Sequence, residues 1–127
     1  MGQRRGADKE TIEAEVQGRF GYELERSLEA IRPGYRFEVS CQGSVPESLL
    51  AFLASADYES AVRNAISLGG DADTMACVAG GIAQAFYGTL PEPIAEAVKA
   101  RLPDRFLDLI DRFERRYGIA ASASRRR

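Results

Sequence analysis

Apolar residues recur at every third or fourth position along most of this chain and almost never alternate with polar ones, a pattern that predicts helices. The expected fold class is all-α, a compact orthogonal helical bundle. Residues 1–8 are polar and glycine-containing and read as a flexible N-terminus; the helical region is expected over 9–117. Ile12, Val16 and Phe20 keep helical spacing before Gly18 and Gly21 interrupt it. A second helix is predicted over 22–31, with Leu24, Leu28 and Ile31 facing inward and Pro33-Gly34 ending it. Tyr35-Arg36-Phe37-Glu38-Val39 alternates over five residues and reads as an extended connector lining something, not as a paired strand.

Ser44-Val45-Pro46-Glu47 has the form of a capping box with proline in the first turn, where its missing N–H costs nothing. The run Leu49 to Ala54 that follows is apolar on nearly every side, which places that helix centrally. Asp57 is the expected cap of the next helix, whose stripe is Tyr58, Ala61, Val62, Ala65 and Ile66, and Gly69-Gly70 should stop it with a left-handed cap. Over 72–87, Met75, Val78, Ala79, Ile82, Ala83 and Phe86 share one face, while Ala72, Ala76 and Gly80 line up on a neighbouring stripe. Side chains this small let a partner backbone come close, so this should be the innermost helix. Further helices are expected over 94–102 and 103–117, and 118–127, ending in three arginines, reads as a disordered, solvated basic tail.

A chain of 127 residues supports one domain, and 45% apolar residues with a net charge of −2 describe a folded protein. No basic field points to nucleic acid. The longest apolar run, 75–83, is far short of the ~20 residues that span a bilayer, and the N-terminus has no apolar segment of a secretory signal. Two cysteines, Cys41 and Cys77, are too few for a disulfide framework and read as reduced core thiols, which suggests a cytoplasmic protein. Histidine is absent, so imidazole catalysis and histidine metal motifs are excluded within this chain. Its chemistry must run on carboxylates, hydroxyls, backbone groups and a bound cation.

Gly69-Gly70-Asp71-Ala72-Asp73-Thr74 crowds two carboxylates and a hydroxyl at one helix start. Carboxylates ~5 Å apart at an effective dielectric of ~20 repel by roughly 3 kcal/mol, and a helix N-terminus returns only about 0.3–1 kcal/mol to each. Either solvent or a cation must offset the difference. Oxygen-only donors at a buried turn suit magnesium, manganese or calcium far better than zinc. The alternative is that Asp71 is an ordinary N-cap and Asp73 a favourable first-turn acid.

Ser67 to Thr74, followed by Ala79-Gly80-Gly81-Ile82-Ala83-Gln84-Ala85-Phe86-Tyr87-Gly88, resembles the C-terminal signature of the ADP-ribosylglycohydrolase family. Gly43-Ser44-Val45-Pro46-Glu47-Ser48 resembles a second family element at the expected distance, and the resemblance spans about residues 11–117. Such enzymes are roughly twice this long, with a Thr-Asp-Asp element and a catalytic acid in their first half; no Thr-Asp-Asp occurs here, so the resemblance is to the C-terminal half. It implies a dinuclear Mg2+ or Mn2+ centre with Asp71, Asp73 and Thr74 as ligands, and hydrolysis of an ADP-ribosyl N- or O-glycosidic bond. The general acid would lie in the missing half, and the role is not transferred to Glu38 or Glu47, the latter being read as a capping residue.

Ser40, Gly43, Ser44 and Gly70 are the expected substrate-binding positions, because 38–44 leads into a helix N-terminus whose amides can meet a phosphate or ribose oxygen. Phe86 and Tyr87 read as core residues instead of adenine-stacking ones. The implied partners are an ADP-ribosylated substrate or ADP-ribose, and either a complementing N-terminal chain or a second copy. Two other readings stand beside the hydrolase: a non-catalytic remnant, and a helical interaction module using an exposed apolar face.

Overall fold

The computed structural model describes residues 6–118. Among them are seven helices and no strand, as the periodicity predicts. The expected disordered tail and most of the flexible N-terminus lie outside the described residues. Contacts divide the chain into two units, one ending at Gly88 and one beginning at Thr89.

In the first unit, α1 spans Lys9–Phe20; the Asp8 carboxylate accepts from the Thr11 amide at 2.8 Å, and Gly21 closes the helix at φ 69°. Gly18 lies inside α1 and does not interrupt it. No residue of α1 is fully buried, and Phe20 is 63% exposed. Ile12 and Val16 pack, partly buried, against the core, and Lys9 ties down the first turn. Its ammonium donates to the carbonyls of Phe52 (3.0 Å), Leu53 (3.1 Å) and Ser55, beneath the rings of Phe52, Phe86 and Tyr87. A cation at a helix C-terminus meets the negative end of the dipole and the aromatic faces together.

The helix expected over 22–31 shrinks to α2, Leu28–Ile31. The Leu24 amide donates to the Gln17 side chain at 3.3 Å and Ser27 caps α2 through the Ala30 amide at 3.2 Å, so the chain before Leu28 is held by side chains instead of by helical bonds. Leu24, Leu28 and Ile31 are nevertheless buried, as predicted.

Helix α3 runs Cys41–Leu53 and starts a turn earlier than the capping-box reading requires. Ser40 is the cap, accepting from the Gly43 amide at 3.1 Å, and Ser44 instead donates to the Ser40 carbonyl at 2.7 Å. Pro46 therefore sits inside the helix, where it leaves the Gln42 carbonyl without its amide. Glu47 does not reach back to cap either. It is buried on the helix flank and pairs with Arg26 at 2.8 Å.

Helices α4 (Tyr58–Ser67) and α5 (Ala72–Tyr87) complete the core with α3. A full capping box opens α4: the Asp57 carboxylate accepts from the Ser60 amide at 2.7 Å, and the Ser60 hydroxyl accepts from the Asp57 amide at 3.0 Å. Asn64 ties α4 to α3 by donating to the Ala51 carbonyl at 3.1 Å. Phe52, Ala61, Ala65, Met75, Ala79 and Ala83 are fully buried, so α5 is innermost, as its small residues predict. At Gly80 a methyl would lie 3.2 Å from the Tyr58 hydroxyl and 3.3 Å from Val62, which explains a glycine in mid-helix. Phe86 departs from the core reading. It is 37% exposed, though it still packs edge-on against Phe52 at 5.2 Å. Cys41 and Cys77 are surface thiols and not core ones, because each lies off the inward face of its helix.

The second unit holds α6 (Glu92–Lys99) and α7 (Asp104–Tyr117), each preceded by a proline. Helix α7 is strongly amphipathic, with Phe106, Leu109, Phe113 and Tyr117 exposed. No described helix is long and apolar enough to cross a membrane.

Candidate functional site

The turn between α4 and α5 begins at Gly69, whose φ of 75° and amide bond to the Ile66 carbonyl at 3.1 Å end α4 as predicted. Asp71 then stands at the start of α5 without a side-chain capping bond; only its carbonyl joins the helix, accepting from the Met75 amide at 2.9 Å. Its carboxylate makes no capping bond, although Asp71 occupies the N-cap position and Asp73 the first turn, as the alternative reading has them. Asp73 accepts from the Thr74 amide at 2.8 Å. The Asp71 side chain first, and the Thr74 amide second, hold Asp73 below the usual carboxylate range.

The turn is not buried, which corrects that expectation. Asp71 is half-buried and Asp73 and Thr74 are exposed, because positions 73 and 74 lie off the Met75, Ala79 and Ala83 stripe that faces the core. Among the described residues no three acids or cysteines gather into a full metal cage, and the turn offers three oxygen donors on its own.

The connector over 35–39 lies against this turn. A methyl at Gly70 would be 2.3 Å from the Tyr35 ring, so only glycine permits the contact. The Tyr35 hydroxyl donates to the Gly43 carbonyl at 2.7 Å. Burial pushes its phenol up, and the charges of Glu47, Glu38 and Asp71 add to the rise. Glu38 folds over Gly43 closely enough that a methyl there would be 1.9 Å from its side chain, and its carboxylate accepts from the Ser40 amide at 2.8 Å. That bond holds Glu38 below the usual range.

Of the predicted positions, Asp71, Asp73 and Thr74 fall within four residues at one helix start, and Tyr35 contacts both Gly43 and Gly70. Ser40 and Ser44 do not present free hydroxyls: Ser40 caps α3, and Ser44 is buried with its hydroxyl on the Ser40 carbonyl. Tyr35 and the Arg26–Glu47 pair were not legible as site neighbours, although the alternation over 35–39 marked the connector. A cleft of about 720 Å3, lined in part by Asp8, Ile12, Ile82 and Phe86, contains none of the predicted site residues.

The family model for ADP-ribosylglycohydrolase matches residues 4–122. No curated protein and no solved structure matches the chain.

Proposed function

The chain belongs to the ADP-ribosylglycohydrolase family, a hydrolase family that is generally dependent on divalent metal, and from that premise we propose that Asp71, Asp73 and Thr74 form one half of the metal centre that serves cleavage of an ADP-ribosyl N- or O-glycosidic bond. The donor set fits such an ion. All three groups are hard oxygens, one carboxylate is free of capping duty, and the two acids stand two residues apart at one helix start. Mg2+ or Mn2+ suits these donors, and when bound it supplies Lewis acidity and a template for the ribose hydroxyls and a water.

This chain's own residues orient and admit. Gly70 leaves room for Tyr35 beside the turn, and Gly43 lies next to Glu38 where an ADP-ribose group would border the site. Glycosidic cleavage also requires a carboxyl group to manage the proton. Glu38 accepts from the Ser40 amide, and Glu47 pairs with Arg26 through one oxygen while its Oε2 is buried without a partner; the role is transferred to neither. The acid and the remaining ligands are assigned to a segment bearing Thr-Asp-Asp, on the same polypeptide or on a complementing chain. The substrate class is an ADP-ribosylated molecule or ADP-ribose.

The observation that carries this reading is the Asp71 carboxylate left without a capping bond at the start of α5, two residues from Asp73. Manganese titration, followed by the loss of the free-ion paramagnetic resonance signal, should show saturable binding at millimolar metal. The doubly substituted Asp71→Asn, Asp73→Asn chain should show none while melting no lower than the parent. Equal binding by the two chains, or none by the parent, sinks the proposal. Release of ADP-ribose from a modified peptide, with and without a Thr-Asp-Asp-bearing chain, then reads activity.

A further inference from the structure

Tyr35 is the residue through which two distant stretches of this site touch. Its ring rests on Gly70, directly before Asp71, and its hydroxyl donates to the carbonyl of Gly43 at 2.7 Å. The separations in sequence are 35 and 8 residues, so neither contact follows from helix geometry. We propose that Tyr35 is a positioning residue that clasps the Asp71 turn to the 38–44 segment and thereby fixes the direction in which Asp71 and Asp73 present their carboxylates. The inference rests on the metal-site reading given above.

Three features make the clasp specific. Gly70 has no alternative residue while the ring is there, since the nearest ring carbon would be 2.3 Å from an added methyl and Met75 sulfur 3.1 Å. The phenol is partly withdrawn from water and stands in the field of Glu47, Glu38 and Asp71, so its hydroxyl stays protonated and keeps donating. The acceptor, the Gly43 carbonyl, belongs to the first turn of α3, which Ser40 and Glu38 hold from the other side. The clasp thus connects a rigid helix start to a turn whose own side-chain bonds are local.

Side chains that orient ligands without touching the ion change metal affinity by about 10–100-fold when removed. Manganese affinity of the full chain, measured by the same resonance titration, is the readout. Tyr35→Phe, which keeps the ring, should weaken binding by a few-fold, and Tyr35→Leu, which removes the seat on Gly70, by about tenfold. Gly70→Ala should weaken binding in the parent and have little further effect beside Tyr35→Leu, because ring and glycine act as one unit. Tyr22→Phe, at a half-buried tyrosine outside the site, serves as the control and should leave affinity unchanged. Metal-free melting temperatures separate positioning from stability: Tyr35→Phe, which loses one partly buried hydrogen bond, should melt slightly below the parent and keep a single cooperative transition. If the parent binds manganese, the Asp71→Asn, Asp73→Asn chain does not, and both Tyr35 variants bind as the parent does, the clasp is overturned and the metal reading stands. Absence of binding by the parent overturns both.

Discussion

Asp57 shows how a single carboxylate can hold a helix and make it sensitive to acid. Hydrogen bonding to the Ser60 amide keeps its carboxyl below the ordinary value of 3.8. A group depressed in the folded state contributes stability that is fully present above its unfolded value and is lost as pH falls through the folded one. Melting temperatures of the parent should therefore decline below about pH 4, part of that decline coming from Asp57. Asp57→Asn keeps a side-chain oxygen acceptor without the charge and should flatten that part, whereas Asp57→Ala should melt lower at every pH. An unchanged acid profile for Asp57→Asn contradicts the assignment. At this scale the sequence is informative where the signal is local. The capping role of Asp57, the left-handed Gly69 and the convergence of Asp71, Asp73 and Thr74 all follow from neighbours within four residues. Glu47 is the counterexample. Its placement after Ser-Val-Pro suggests a capping glutamate, yet its partner Arg26 stands 21 residues away and no local pattern announces it.

Helices α3, α4 and α5 were legible from periodicity alone, and α5 has the predicted bounds because a carboxylate-rich turn opens it and Gly88 closes it at φ 77°. The start of α3 was misplaced since two serines four residues apart both offer caps; Ser40 accepts from the Gly43 amide, while the Ser44 hydroxyl is turned back onto the Ser40 carbonyl. The region over 22–27 keeps the apolar spacing of a helix without being one, because burial of Leu24 is achieved by an irregular chain bonded to Gln17. Helix α1 raises a different question, for it buries nothing completely and still has a fixed place. Lys9 answers it for the first turn. Charge-assisted bonds are worth about 1.5–3 kcal/mol and a cation over aromatic rings about 0.5–2 kcal/mol, so Lys9→Ala should release about 2 kcal/mol of local stability. That corresponds to roughly thirtyfold faster hydrogen exchange of the α1 amides, with the α5 amides little affected. Exchange that accelerates equally in both helices argues against a local anchor.

For the molecule as a whole, both apolar clusters, one around Leu49 and Met75 and one around Phe52 and Ala83, lie in the unit that ends at Gly88. Limited proteolysis should therefore cut first within 88–91, and the piece ending there should keep its helical circular dichroism and melt cooperatively. A piece that loses its transition refutes this independence. The all-α class was readable because every element is built from contacts local in sequence. The candidate site was readable only as a set of positions. The two contacts of Tyr35, from connector to helix and from connector to turn, were not legible. The misjudged cysteines carry a practical consequence. Cys41 follows the cap of α3 directly and Cys77 lies one helical turn along α5 from Asp73, and both thiols face solvent. A nitroxide or fluorophore attached to either would test by relaxation or quenching whether manganese binds at the turn, so the chain comes equipped with its own spectroscopic handles.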